Sequence, residues 1–306
     1  MRIILPFLFV LAFSLPLSAQ NFEKVSFGEG DDDYYLAVKP QGQILGTVVL
    51  MPGFGQTPES IFPESKIQNV AYNRGIMTIA IAGGQKLHCD ASVISKLERG
   101  LSHAIEKYDL DKRLLVMGGF SAGGTISLRY AELCHEKPDE FPIVPKAVFT
   151  VDSPVDLVGI WEYFQRELKK DFSEAGVNEA KFVSELMLRE IGHPKTEPLK
   201  YMRLSPFSRS AQPPGNERFL KGIPVRTYHD IDVTWLVKQR GRSLYDSNSL
   251  DASELISRLF LMGNDHAEFI ISKTPGMRSN GLRHPHSWSI VDEVEFMDWV
   301  LMALRR

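Results

Sequence analysis

Short apolar runs alternate with longer stretches of helical period along most of this chain. "YYLAVKP" (34–40) and "ILGTVVLMPG" (44–53) read as strands, the second apolar enough to be buried on both faces. "PESKIQNVAYNRG" (63–75) reads as a helix closed by Gly75, and "IMTIAIAGG" (76–84) as the next buried strand. In "DASVISKLERGLSHAIEKY" (90–108) Asp90 is placed to cap the helix, and Val93, Leu97, Leu101 and Ile105 fall on one face. "RLLVMGGF" (113–120) follows as a strand, "AGGTISLRYAELCHE" (122–136) as a helix and "KAVFTVDSP" (146–154) as another buried strand. This alternation predicts an α/β fold with a mostly parallel central sheet flanked by helices.

The alternation breaks at about residue 155. Two amphipathic helices, "DLVGIWEYFQRELKK" (156–170) and "NEAKFVSELMLREIG" (178–192), precede the Pro- and Ser-rich "LSPFSRSAQPPGNERF" (204–219). No strand is needed between 155 and 221, so this region is expected to be a helical cap inserted over one end of the sheet. Strands then resume with "IPVRTYHDID" (223–232) and "AEFIIS" (267–272), separated by a helical "SELISRLFLMG" (253–263). "IVDEVEFMDWVLMAL" (290–304) is expected as a closing helix.

The first residues follow a different rule. "MRIILPFLFVLAFSLPLSAQ" has one early positive charge at Arg2, an apolar stretch, and small residues at Ser18 and Ala19. That is the layout of a secretory signal peptide, with cleavage expected after Ala19 and one domain over 20–306. The stretch is short for a membrane span of about 20 apolar residues and contains Pro6 and Pro16. The mature chain is therefore expected to be exported, periplasmic or secreted, with no stable membrane span.

Composition narrows the function. With 43% hydrophobic and 24% charged residues the chain is an ordinary globular protein, and its formal charge of −3 gives no reason to expect a nucleic-acid partner. Two cysteines, Cys89 and Cys134, exclude a disulfide framework or a cysteine-rich metal site, and their places on successive helices argue against a bridge. The eight histidines show no H-E-x-x-H spacing, the acidic "DDD" (31–33) lacks the spacing of a calcium loop, and no phosphate-loop or dinucleotide motif is present. No metal or cofactor is called for.

The most specific stretch is "GGFSAGG" (118–124). Gly119-Phe120-Ser121-Ala122-Gly123 matches G-x-S-x-G, and it follows a buried strand and opens a helix, which is the setting of a nucleophile elbow. The alternative is a capping serine in a close helix-strand packing.

On these residues, and in its order of elements over essentially the whole mature chain, the sequence resembles the α/β-hydrolase superfamily. The resemblance implies a Ser-acid-His triad and an oxyanion hole. Ser121 is the implied nucleophile and the amide of Ala122 one oxyanion donor. The second donor falls in "LMPGFGQT" (50–57), where Phe54 is favoured and Gly55 is the alternative. For the acid, Asp232 is favoured, with Asp230 and Asp152 as substitutes and an N-cap as the bland role of Asp232. For the base, "RHPHSWSIVDE" (283–293) offers His286, with His284 second.

The implied activity is that of a serine esterase acting on a small-molecule, carbohydrate or lipid ester through an acyl-enzyme. A peptidase of the prolyl-oligopeptidase kind would need acidic residues to hold an amino group, and no glutamate pair stands out in the insertion. A non-catalytic binding protein on the same fold would normally lack one triad member. Oligomeric state is not legible in the sequence.

Overall fold

The computed structural model describes residues 20–212 and 214–306, so the leader expected over 1–19 and its cleavage site lie outside the described residues. In chain order the strands are β1 (Phe22–Ser26), β2 (Tyr34–Val38), β3 (Gly46–Met51), β4 (Ile76–Ile81), β5 (Leu115–Phe120), β6 (Ala147–Val151), β7 (Val225–His229) and β8 (Ala267–Ile271). The helices are α1 (Ile67–Asn73), α2 (Ala91–Tyr108), α3 (Ala122–Glu136), α4 (Leu157–Lys170), α5 (Glu174–Glu190), α6 (Pro198–Leu204), α7 (Val233–Arg240), α8 (Ser249–Leu261) and α9 (Glu293–Arg305). One sheet has the order β1-β2-β4-β3-β5-β6-β7-β8. β1 and β2 run antiparallel at one edge, and every pairing from β4 to β8 is parallel.

The apolar runs are continuous because the sheet is covered on both sides. Along β3, Val49 and Met51 enter one core with α2, α3 and α8, while Val48 and Leu50 enter the other with α1 and α9. Each such buried side chain is worth about 1.5–3 kcal/mol, so a single slipped register would turn the strand's whole pattern over. Asp90 does cap α2, accepting from the amides of Ser92 and Val93.

β1 was not foreseen. Its "FEKVS" buries only Val25, since an edge strand has one partner and little cover. α6 lies in a part of the cap for which the sequence predicts no element, and Pro198 in its first turn is compatible with a helix start. Cys89 and Cys134 are both buried and unbridged. Between β6 and β7, α4, α5 and α6 share a hydrophobic cluster of their own, including Trp161, Phe164, Val183, Met187 and Tyr201.

Register brings the functional residues together. Gly119 pairs with Met51 across β3 and β5, Phe120 with Val151 across β5 and β6, and Val151 with Tyr228 across β6 and β7. The next residue on each strand, Ser121, Asp152 and His229, therefore stands in a row along one end of the sheet.

Candidate active site

Ser121 connects β5 directly to α3. Its backbone has φ 53° and ψ −127°, a left-handed conformation that a non-glycine residue rarely adopts. The turn is tight enough that a Cβ on Gly123 would run into the carbonyl oxygens of Pro52 and Met51, and one on Gly119 would approach Met51 O to 2.5 Å. The hydroxyl does not cap α3, which removes the capping alternative, and it faces a cavity of about 500 Å³. Four non-glycine residues among those described have positive φ. Asp109 and Asp171 end helices, where that conformation is ordinary. The other two are Ser121 and Asp152, and strained residues of that kind gather at functional sites.

Asp152, with φ 43°, follows β6. Its amide donates to Tyr228 O at 2.8 Å and its carbonyl accepts from Asn248 Nδ2 at 2.8 Å, which clamps the strained turn from both sides. One carboxylate oxygen is 2.7 Å from His286 Nδ1 and the other 3.1 Å from His229 Nδ1. Burial works to raise the Asp152 pKa, but hydrogen bonds from His229 and His286 and their charges outweigh it and hold the group well below the usual carboxylate range. His286 has its side chain 33% exposed toward the cavity and its ring 4.3 Å from that of Phe120. His229 is only 1% exposed and stacks on Phe269 at 4.9 Å. Of Asp152's two histidines, then, His286 is the one presented to the cavity.

The carboxylate that reaches His286 is not the one favoured from the sequence, Asp232, but Asp152. Asp232 does not meet His286: it caps α7 by accepting from the Trp235 amide at 2.8 Å and pairs with Arg283 at 3.1 Å. Its bland role is the one it has. Asp230 accepts from the Gly276 amide at 2.7 Å and pairs with Arg283 at 2.8 Å. Both carboxylates brace the 276–286 loop, and Arg278 ties it again by donating to His286 O at 3.0 Å. His284 faces the same cavity, but burial and the positive charges near it push its pKa down to about 3. Its Nε2 accepts from Arg240 at 2.7 Å, an interaction that requires the neutral ring.

Phe54 and Ala122 both line the cavity. In the loop after β3, the Gly53 amide donates to Gln56 Oε1 at 2.9 Å and the Gly55 amide to Gly84 O at 3.1 Å. Gly55 is thereby committed elsewhere. Among the described residues, the amides of Phe54 and Ala122 have no intramolecular acceptor. The rest of the wall mixes apolar side chains, Leu157 and Phe164 from α4, Val183 from α5 and Trp235 from α7, with charged ones such as Arg240 and Asp246.

No protein-family model and no curated protein matches the chain. Solved structures do. A carboxyl esterase of the mycorrhizal fungus Tuber melanosporum superimposes with a TM-score of 0.59 at 15% identity, over 96% of this chain and 87% of that one. MPT51 of Mycobacterium tuberculosis gives 0.61 at 12% identity, over 94% and 100%. The acylaminoacyl peptidase of Pyrococcus horikoshii gives 0.59 at 14% identity, over 95% of this chain and 43% of that one. At these identities the likeness is one of fold, and that fold is the α/β-hydrolase fold.

Proposed function

We propose that this α/β-hydrolase-fold protein is a serine hydrolase that cleaves carboxylic esters through an acyl-enzyme. The observation that carries the reading is the 2.7 Å Asp152–His286 pair, facing the same cavity as a serine held at positive φ. In this reading His286 Nε2 takes the proton of Ser121 Oγ as the hydroxyl attacks the ester carbonyl. Asp152 accepts from His286 Nδ1–H, fixing the tautomer and stabilising the imidazolium that forms. The charge on the tetrahedral oxygen falls to the amides of Phe54 and Ala122, the two without another acceptor. His286 then gives its proton to the departing alkoxide, and water attacks the acyl-enzyme by the same route.

Helices α4 and α5, which supply much of the apolar wall, act as a cap that keeps water from the acyl group. The leader over 1–19 directs export, so the substrate is an ester met outside the cytoplasm. Among the described residues no helix is long and apolar enough to cross a membrane.

The reading is tested with p-nitrophenyl acetate, butyrate and octanoate on purified protein. Release of nitrophenol that saturates with substrate and falls by at least about 10³-fold in Ser121→Ala is expected. Equal turnover by folded wild type and Ser121→Ala would overturn it.

A further inference from the structure

The cavity beside Ser121 is lined by several charged side chains, and most are neutralised within the protein. Asp230 is held by Arg283 at 2.8 Å, and Asp246 by Arg166 at 2.7 Å and Lys170 at 2.6 Å. Arg278 is matched by Glu64 at 2.9 Å, and Arg242 by the buried Glu167 at 3.2 Å. Arg240, at the end of α7, differs. Among the described residues it has no carboxylate partner, and its guanidinium instead donates to His284 Nε2 at 2.7 Å and lies 5.4 Å from the Trp235 ring. A neutral imidazole and an aromatic face orient a guanidinium without cancelling its charge. The other lining charge without an ion-pair partner among the described residues is Glu179, which is exposed to solvent, whereas Arg240 is half-buried.

We propose that Arg240 reads an anionic group, a carboxylate in particular, carried by the ester substrate in the cavity next to Ser121. The inference rests on the esterase reading above and specifies its substrate class. Arg240 is oriented by His284 and Trp235, which leaves other guanidinium N–H groups to engage a planar carboxylate, the geometry arginine matches best. Its half-buried position lowers the screening that an exposed arginine would suffer. Burial and the positive charges nearby push the His284 pKa down to about 3, which favours the neutral ring that Arg240 needs as its acceptor. A substrate amino group placed beside Arg240 would meet its uncancelled positive charge, which disfavours an amino group at that position.

The test compares esters that differ only in one charge. On the acyl side, p-nitrophenyl hydrogen glutarate is set against p-nitrophenyl methyl glutarate. On the alcohol side, 4-butyryloxybenzoate is set against its methyl ester. In wild type the anionic member of one pair is expected to have a kcat/KM about tenfold or more above its neutral partner. In Arg240→Met that ratio should fall to near one, with Arg240→Lys between them. The ratio cancels whatever the substitution does to the chemistry both esters share. The inference is overturned if neither pair shows an anionic preference in wild type, a result that needs no variant to fold, or if the ratio survives in Arg240→Met. Hydrolysis of the neutral esters without any preference would sink this inference alone. No hydrolysis of any of the four would sink the esterase reading and this inference with it.

Discussion

Two carboxylates at neighbouring strand ends illustrate how environment sets a side chain's work. Asp152 leaves β6 in a left-handed turn and faces two imidazoles, at 2.7 and 3.1 Å. Asp232 lies just past β7, and it faces a helix amide and a guanidinium. Both are aspartates near the C-terminal ends of parallel strands. One faces imidazoles and, in the proposed reaction, would meet the imidazolium that forms, whereas the other satisfies charges that are always present. A carboxylate's role is thus decided by its partner rather than by its distance from the nucleophile.

The sharpest way to break this comparison is to neutralise each member. Asp152→Asn should lower kcat on p-nitrophenyl butyrate by about 10³–10⁴-fold, because the amide favours the wrong His286 tautomer. Asp232→Asn should stay within a few-fold of wild type in the same assay. A reversed ranking would restore Asp232 as the acid.

His229 sharpens the account of Asp152. His229→Phe removes one of the carboxylate's two imidazole partners while keeping an aromatic ring against Phe269. A drop in kcat of about tenfold is expected, from the loss of one hydrogen bond to a charged group. An unchanged kcat in the folded variant would show that His286 alone suffices to hold Asp152.

On the other side of the comparison, Asp232→Ala should cost about 0.5–2 kcal/mol of stability in urea unfolding, the usual worth of an N-cap. Asp232→Asn should lose less, since asparagine also caps. Equal losses would shift the weight from the cap to the ion pair with Arg283.

A further comparison concerns pH. The folded pKa of His284 lies at about 3, below its ordinary 6.5, so the unfolded chain binds an extra proton between those values. The stability due to its neutral form is complete above about pH 6.5 and is lost as pH falls toward 3. His284→Gln should therefore show a shallower decline of stability over that window than wild type. Parallel curves would show that the neutral ring adds nothing.

The elbow was legible because its parts are contiguous. "RLLVM", "GGFSAGG" and the helix that follows are one run of sequence, and the glycines report a steric demand that the structure locates at the Pro52 and Met51 carbonyls. The loop after β3 was legible as a turn beside the cavity, and the Gly55–Gly84 hydrogen bond, which sequence does not show, leaves the Phe54 amide as the one free to donate in the proposed reaction. Which carboxylate meets His286 was not legible. Asp152 is 134 residues from His286, and only the sheet order, with β6 between β5 and β7, sets it beside Ser121. The available signal was "VDSP", an aspartate ending a fully buried strand, but "HDID" offers two more after the next strand. Spacing alone does not rank them. The Asp152–His286 hydrogen bond, set up by the turn at Asp152, does in the structure.

Labelling by a fluorophosphonate, with the modified peptide mapped by mass spectrometry, tests the central assignment most directly. Wild type and Asp232→Asn should both label rapidly and at Ser121 alone, Asp152→Asn should label at least about a hundredfold more slowly, and Ser121→Ala should not label. Labelling at another residue, or rapid labelling that survives in Asp152→Asn and fails in Asp232→Asn, would contradict the Ser121, His286 and Asp152 assignment.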